Sequence, residues 1–146
     1  MDTQTREVNI DWIPASGFQL RKAGVQFDAV RIEGSAGRRV AEMLEEMTGG
    51  DPGPIVAEVK GVRAVYFLVR AGSTGYRAWP RGVTVLNSGP NRVSYVPVPA
   101  LTGGTWPLTW WCPPSSAGRR VHSGLLAGVA DAVLVAESAE SGGSPE

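Results

Sequence analysis

The chain has 146 residues, enough for one domain that buries roughly 70% of its unfolded surface. Its 14 basic residues balance 14 acidic ones, so whole-chain charge gives no argument for nucleic acid or a membrane surface. One cysteine, Cys112, and one histidine, His122, exclude an intrachain disulfide and a structural zinc held by N/S ligands.

The apolar pattern sets out the elements in chain order. Residues 1–6 are polar and read as loose. The start lacks the basic-then-apolar pattern of a secretory leader, and no apolar run reaches the ~18 residues of a membrane span. A cytoplasmic protein with no membrane partner is the expectation. Residues 8–12 alternate and read as an edge strand ended by Pro14; residues 15–24 are ambiguous. Residues 25–32 read as a strand buried on part of both faces. Residues 33–37 break it. A helix follows over about 37–47, with Val40, Met43, Leu44 and Met47 inward, Glu42, Glu45 and Glu46 outward, and Ser35 as N-cap. The Gly/Pro-rich residues 48–54 stop it. Residues 55–69 form a hairpin around Lys60-Gly61, and 71–75 a loop. Residues 83–86, 92–98 and 106–111 read as further strands, the second confined to an edge by its prolines. A C-terminal helix over about 119–137 carries Leu125, Leu126, Val129, Val133 and Leu134 on its apolar face. Residues 138–146 read as a disordered tail. The expectation is a single α+β domain over 1–137, a mostly antiparallel sheet of five or more strands with helices packed on one face.

Ser35-Ala-Gly-Arg-Arg-Val40 recurs as Ser116-Ala-Gly-Arg-Arg-Val121. Both copies read as helix openings, with serine near the N-cap and unpaired backbone N–H groups beyond. Those groups and the arginine pair would suit a phosphate, although an echo within a chain rich in Gly, Ala and Arg is the simpler account. Neither copy is a Walker A loop or a Rossmann fingerprint. Arginine outnumbers lysine twelve to two, which a GC-rich genome explains without a phosphate-binding role. Trp106, Trp110 and Trp111 fall within six residues. They offer a stacking platform for bases or sugars, or a strand packed under the C-terminal helix, and Trp110 and Trp111 must face opposite ways. His122 has no nucleophile or carboxylate at triad spacing, and Cys112 reads as a packed thiol.

The hairpin and its flanks carry a resemblance. A strand–loop–helix unit over 25–47 precedes it and a strand pair over 83–97 follows. Tyr66-Phe67 lies on its second strand, with Tyr95-Val-Pro-Val-Pro99 and Trp110 downstream. In this order and pattern, roughly residues 25–111 resemble the core of the archaeo-eukaryotic primase/polymerase superfamily, in its actinobacterial-type bifunctional primase/polymerase branch. That family holds two divalent metals for nucleotidyl transfer with a D-x-D pair at a strand end, a histidine in a G-x-H-x-Y-F pattern and an acid on the next strand. The matching places here are Arg31 and Glu33, then Ala64 in Gly61-Val-Arg-Ala-Val-Tyr-Phe67, then Thr84. Asp28 comes three residues too early. The resemblance therefore implies a shortened relative without the metal ligands, and no metal or other cofactor is expected.

Three readings of function follow. The first is a non-catalytic binding module of primase/polymerase-like fold for nucleic acid, a nucleotide or a protein partner. Arg31, Arg38, Arg39 and Arg63 would contact the anion, and Trp106 and Trp111 would stack. Overall neutrality makes any nucleic-acid binding weak and salt-sensitive. The second is a protein–protein adaptor using residues 106–111 and the edge strand at 92–98. The third is a small enzyme with a site among Asp28, Glu33, Glu58 and His122, which form no constellation in sequence.

Overall fold

A strand with apolar residues on both faces needs cover on both sides, and residues 28–32 receive it. The computed structural model describes residues 10–142 apart from Ala117. The chain runs β1 (Phe18–Lys22), β2 (Asp28–Ile32), α1 (Gly34–Met47), β3 (Ile55–Glu58), β4 (Val65–Val69), a 3-10 turn (Ser73–Tyr76), β5 (Val83–Leu86), β6 (Tyr95–Pro99), β7 (Leu108–Cys112) and α2 (Ser123–Gly142). Five strands form one sheet in the order β5-β2-β4-β3-β7, antiparallel throughout, and β1 pairs with β6 in a separate ribbon. This is the α+β fold, mainly antiparallel with helices on one face, that the periodicity predicts.

Strand parity sorts the core into two. Val30, Ile32, Val65, Phe67 and Val69 face α1 and α2. Phe27, Ala29, Tyr66 and Leu68 face the other way, toward Val96 and Val98 of the ribbon. Phe67 is fully buried in the first layer and Phe27 in the second, each burial worth about 2–3 kcal/mol. Gly37 lets α1 settle on the sheet, because a Cβ there would lie 2.3 Å from the Ile32 carbonyl oxygen.

Several local expectations give way to this packing. The edge strand expected over 8–12 is a turn in its described part: Ile13 N–H donates to the Ile10 carbonyl at 3.1 Å. The turn drops Ile10 and Trp12 into the ribbon-side core, with Trp12 edge-on to Phe27 at 5.1 Å; Val8 and Asn9 lie outside the described residues. β2 is shorter than 25–32, because Gly24 N–H donates to the Phe27 carbonyl and turns Val25 out to solvent. Ser35 does not cap α1. The N-cap is Glu33, in extended conformation and without a side-chain cap bond, and Ser35 sits inside the helix. α2 begins at Ser123, so the second hexapeptide precedes it; Val121 N–H instead donates to the Leu68 carbonyl at 2.8 Å. α2 also continues to Gly142, through residues 138–142 that composition assigns to a tail; residues 143–146, like 1–6, lie outside the described residues. Among the described residues no helix is long and apolar enough to cross a membrane.

Candidate functional site

Three connections meet between the helices where the central strand β4 ends: 48–54 after α1, 70–77 after β4 and 118–122 before α2. Val121 pairs parallel with Val69 and so extends the sheet by one bridge. Gly53 makes the approach possible. Its φ is +112°, and a Cβ there would lie 2.6 Å from the Val121 nitrogen. Only glycine fits both demands. Together the three segments line a cleft of about 670 Å³. Leu44, Pro52 and Leu125 supply apolar wall; Arg70, Arg77, Arg119, Ser73, His122 and Ser123 supply polar groups, and no Asp or Glu lines it among the described residues.

The start of α2 is built from His122-Ser123-Gly124. The His122 carbonyl accepts from Leu126 N–H at 2.9 Å, and its Nδ1 accepts from Leu125 N–H at 3.1 Å. The imidazole thus acts as the N-cap, and its ring proton belongs on Nε2. The N–H groups of Ser123 and Gly124 have no acceptor among the described residues. Gly124 leaves this end open: a Cβ there would lie 3.0 Å from His122 Cε1 and 3.2 Å from Arg77 Nη2. A guanidinium therefore stands over the positive end of a helix. On the facing loop, Ser73 Oγ donates to the Arg70 carbonyl at 2.7 Å and lies 2.5 Å from Ser123 Oγ. Ser73 has spent its proton, so Ser123 donates in the second bond.

The four arginines of the cleft differ. Arg119 pairs with Asp51, Nε to Oδ1 at 3.4 Å, and its Nη2 also bonds the Asp51 carbonyl. Arg120 turns away, donating to the Gln26 carbonyl at 2.9 and 3.1 Å and covering the Trp12 ring at 5.0 Å; burial lowers its pKa. Arg70 and Arg77 have no side-chain hydrogen bond or ion pair among the described residues.

The arginines singled out in the sequence stand elsewhere. Arg31 lies on the ribbon side of the sheet, where Nε donates to Tyr66 Oη at 3.2 Å and Nη1 to Glu33 at 2.7 Å. Burial alone would lower its pKa, but Glu33 and Tyr66 outweigh it and raise the value. Tyr66 Oη in turn donates to Glu58 at 2.9 Å, which completes a row Glu33–Arg31–Tyr66–Glu58. Arg38 and Arg39 sit on α1, across the sheet from Arg31; Arg38 Nη1 is buried without a partner. Arg63 is exposed in the hairpin turn at φ +52°. None of the four lines the cleft. Trp106 is 67% exposed, with Lys60 Nζ 5.1 Å from its ring centre. Trp111 is half-buried and donates to Glu45 at 3.0 Å, tying β7 to α1. Trp110 faces the ribbon and donates to the Pro99 carbonyl.

The residues of the enzyme reading do not come together either. Asp28 is buried against the 3-10 turn, Glu33 and Glu58 lie on the ribbon side, and His122 caps α2. Among the described residues no three of His, Cys, Asp and Glu converge as metal ligands. The cleft's own residues, Arg70, Ser73, Arg77 and Ser123, carry a faint sequence signal. It is a Gly/Ser loop leaving a buried strand, followed by an arginine. Nothing in the chain says that residues fifty positions apart in sequence, Ser73 and Ser123, will touch. A scan of protein-family models, a search of curated proteins and a search of solved structures each found no match to the chain.

Proposed function

We propose that the protein is a non-catalytic module, acting in the cytoplasm, that binds a phosphate-bearing ligand in the cleft at the start of α2. A nucleotide or the backbone of a nucleic acid is the class of ligand. One observation carries the reading: Arg70 and Arg77, without partners among the described residues, flank the open N-terminus of a helix in a cleft that no described carboxylate lines. Backbone N–H donors and a guanidinium fork are the groups that recognise phosphate. The apolar wall of Leu44, Pro52 and Leu125 gives the organic part of the ligand a surface. The resemblance to the primase/polymerase core, whose metal-ligand residue types this chain does not keep, supports the non-catalytic half of the reading. At the place of the first metal-binding carboxylate stands Arg31, and it neutralises Glu33 at 2.7 Å.

Calorimetric titration with pyrophosphate, ADP and a short single strand tests the site. Binding should fall at least about tenfold in Arg70→Ala with Arg77→Ala, the loss of roughly 1.4 kcal/mol or more expected of charge-assisted bonds. Arg38→Ala with Arg39→Ala should bind as the parent does. Affinity untouched by the first pair removes the cleft as the site. The adaptor reading then stands first, on exposed Trp106 and on Val93 and Tyr95, exposed within residues 92–98.

A further inference from the structure

On the other side of the 70–77 loop lies a second, smaller cavity of about 240 Å³, with Gly24, Asp28, Gly72, Thr74, Asn87 and Ser88 in its lining. Asp28 is 1% exposed. Its Oδ2 accepts from Gly72 N–H at 3.0 Å and from Thr74 Oγ1 at 2.8 Å, while Oδ1 is buried and has no partner. Both bonds come from neutral groups, and no cationic side chain lines the cavity among the described residues. A buried carboxylate is ordinarily paired with a cation or bound to a metal ion.

The neighbouring groups present oxygen lone pairs. Thr74 Oγ1 has given its proton to Asp28 and accepts from Asn87 Nδ2 at 2.9 Å. Asn87 Oδ1 is occupied by Arg92 Nη1 at 3.2 Å. Ser88 Oγ lies over Gly24, where a Cβ would come within 2.3 Å of it. One negative charge among neutral oxygens suits an ion of charge +1, whereas tight divalent sites gather several carboxylates.

We propose that this cavity is a monovalent-cation site, for an ion of sodium or potassium size, with the Asp28 carboxylate as its anionic ligand and Thr74 and Ser88 as neutral oxygen ligands. The ion neutralises Asp28 and fixes the 70–77 loop from behind. The same loop carries Arg70, Ser73 and Arg77, but the site stands on Asp28 alone and does not depend on what the arginine cleft binds.

The test is thermal unfolding of the full chain in NaCl, KCl and choline chloride at one ionic strength, with ²³Na NMR line broadening as the direct readout. Sodium or potassium at about 100 mM should raise Tm by about 3–5 °C over choline, and ²³Na broadening should be competed away by potassium. Asp28→Asn should abolish both effects. If that variant does not fold, Ser88→Ala, an exposed rim position, should fold and weaken the cation response several-fold. Identical melting in all three chlorides with no ²³Na broadening would mean that water satisfies Oδ1, and it overturns the proposal. So does saturation by calcium or magnesium at a hundredth of the concentration.

Discussion

At the scale of single residues, small changes of side chain separate binding from folding. Gly124 is the sharpest case. Alanine is the better helix former by up to about 1 kcal/mol, which offsets the shift that its methyl, 3.0 Å from Cε1, forces on the capping His122, so Gly124→Ala should change stability by less than about 1 kcal/mol. Its methyl would stand where Arg77 Nη2 is 3.2 Å away. Arg77 must shift, and anion affinity should drop about tenfold in titration calorimetry while the melting curve holds. Tyr66 offers a pH test. Burial, chiefly, and the neighbouring Glu58 hold its pKa above 10.0 despite Arg31. The folded state thus keeps the phenolic proton more tightly than the unfolded chain. Its contribution is fully present below the unfolded value of about 10 and is lost as pH rises through the folded value. Denaturant titrations between pH 9 and 11 should show stability falling toward the alkaline end, with a shallower fall in Tyr66→Phe. A slope identical in that variant would assign the alkaline loss to other groups. Cys112, pushed up by burial, Asp51 and Glu45, should resist alkylation at pH 8 until the chain unfolds.

At the scale of elements, one hexapeptide takes two structures. In residues 35–40 it is helix, held by Gly37 against Ile32 and by Val40 in the core. In residues 116–121 its end is extended, with Val121 bridged to Val69 and seated on Gly53. The two serines therefore lack the capping role that local chemistry assigns them. Ser35→Ala should change stability in urea by less than about 0.5 kcal/mol, against roughly 1 kcal/mol for a true cap. Gly53→Ala combines a left-handed backbone with a clash and should cost at least about 2 kcal/mol. A neutral Gly53→Ala would show that the three connections can separate without loss, and the cleft would lose its frame.

At the scale of the whole molecule, the sheet is a partition. Helices cover one face, and the ribbon with the turn at Ile10–Ile13 covers the other. Arg120 spans the boundary, leaving the lead-in to α2 to reach Gln26 and Trp12. The chain is neutral overall, with 14 charges of each sign, so long-range attraction does not help a polyanion and only local arginines can. With Arg70 and Arg77 as the phosphate contacts, the log–log salt dependence for single-stranded nucleic acid should have a slope of about −1.4. Fluorescence anisotropy across a salt series measures it. A much steeper slope would require further cations, and a flat one would point to stacking on the exposed Trp106.

The sequence by itself determined the fold class and most element types; it left residues 15–24, which hold β1, undecided and read a strand over 8–12 where a turn forms. Period two at residues 25–32 and 55–69 and period 3.6 at 40–47 and 125–134 are local facts, since each buried face repeats within its own element. The tertiary structure alone decided which arginines share a cleft. Arg31, Arg38, Arg39 and Arg63 look neighbourly in sequence, yet Arg31 is divided from Arg38 and Arg39 by the sheet, because strand parity and helix placement send them to opposite layers. Arg70, Ser73, Arg77 and Ser123 meet because β4 is central and both the loop after it and the start of α2 must close over its end. Such a meeting depends on strand order and long-range register, which no local pattern encodes.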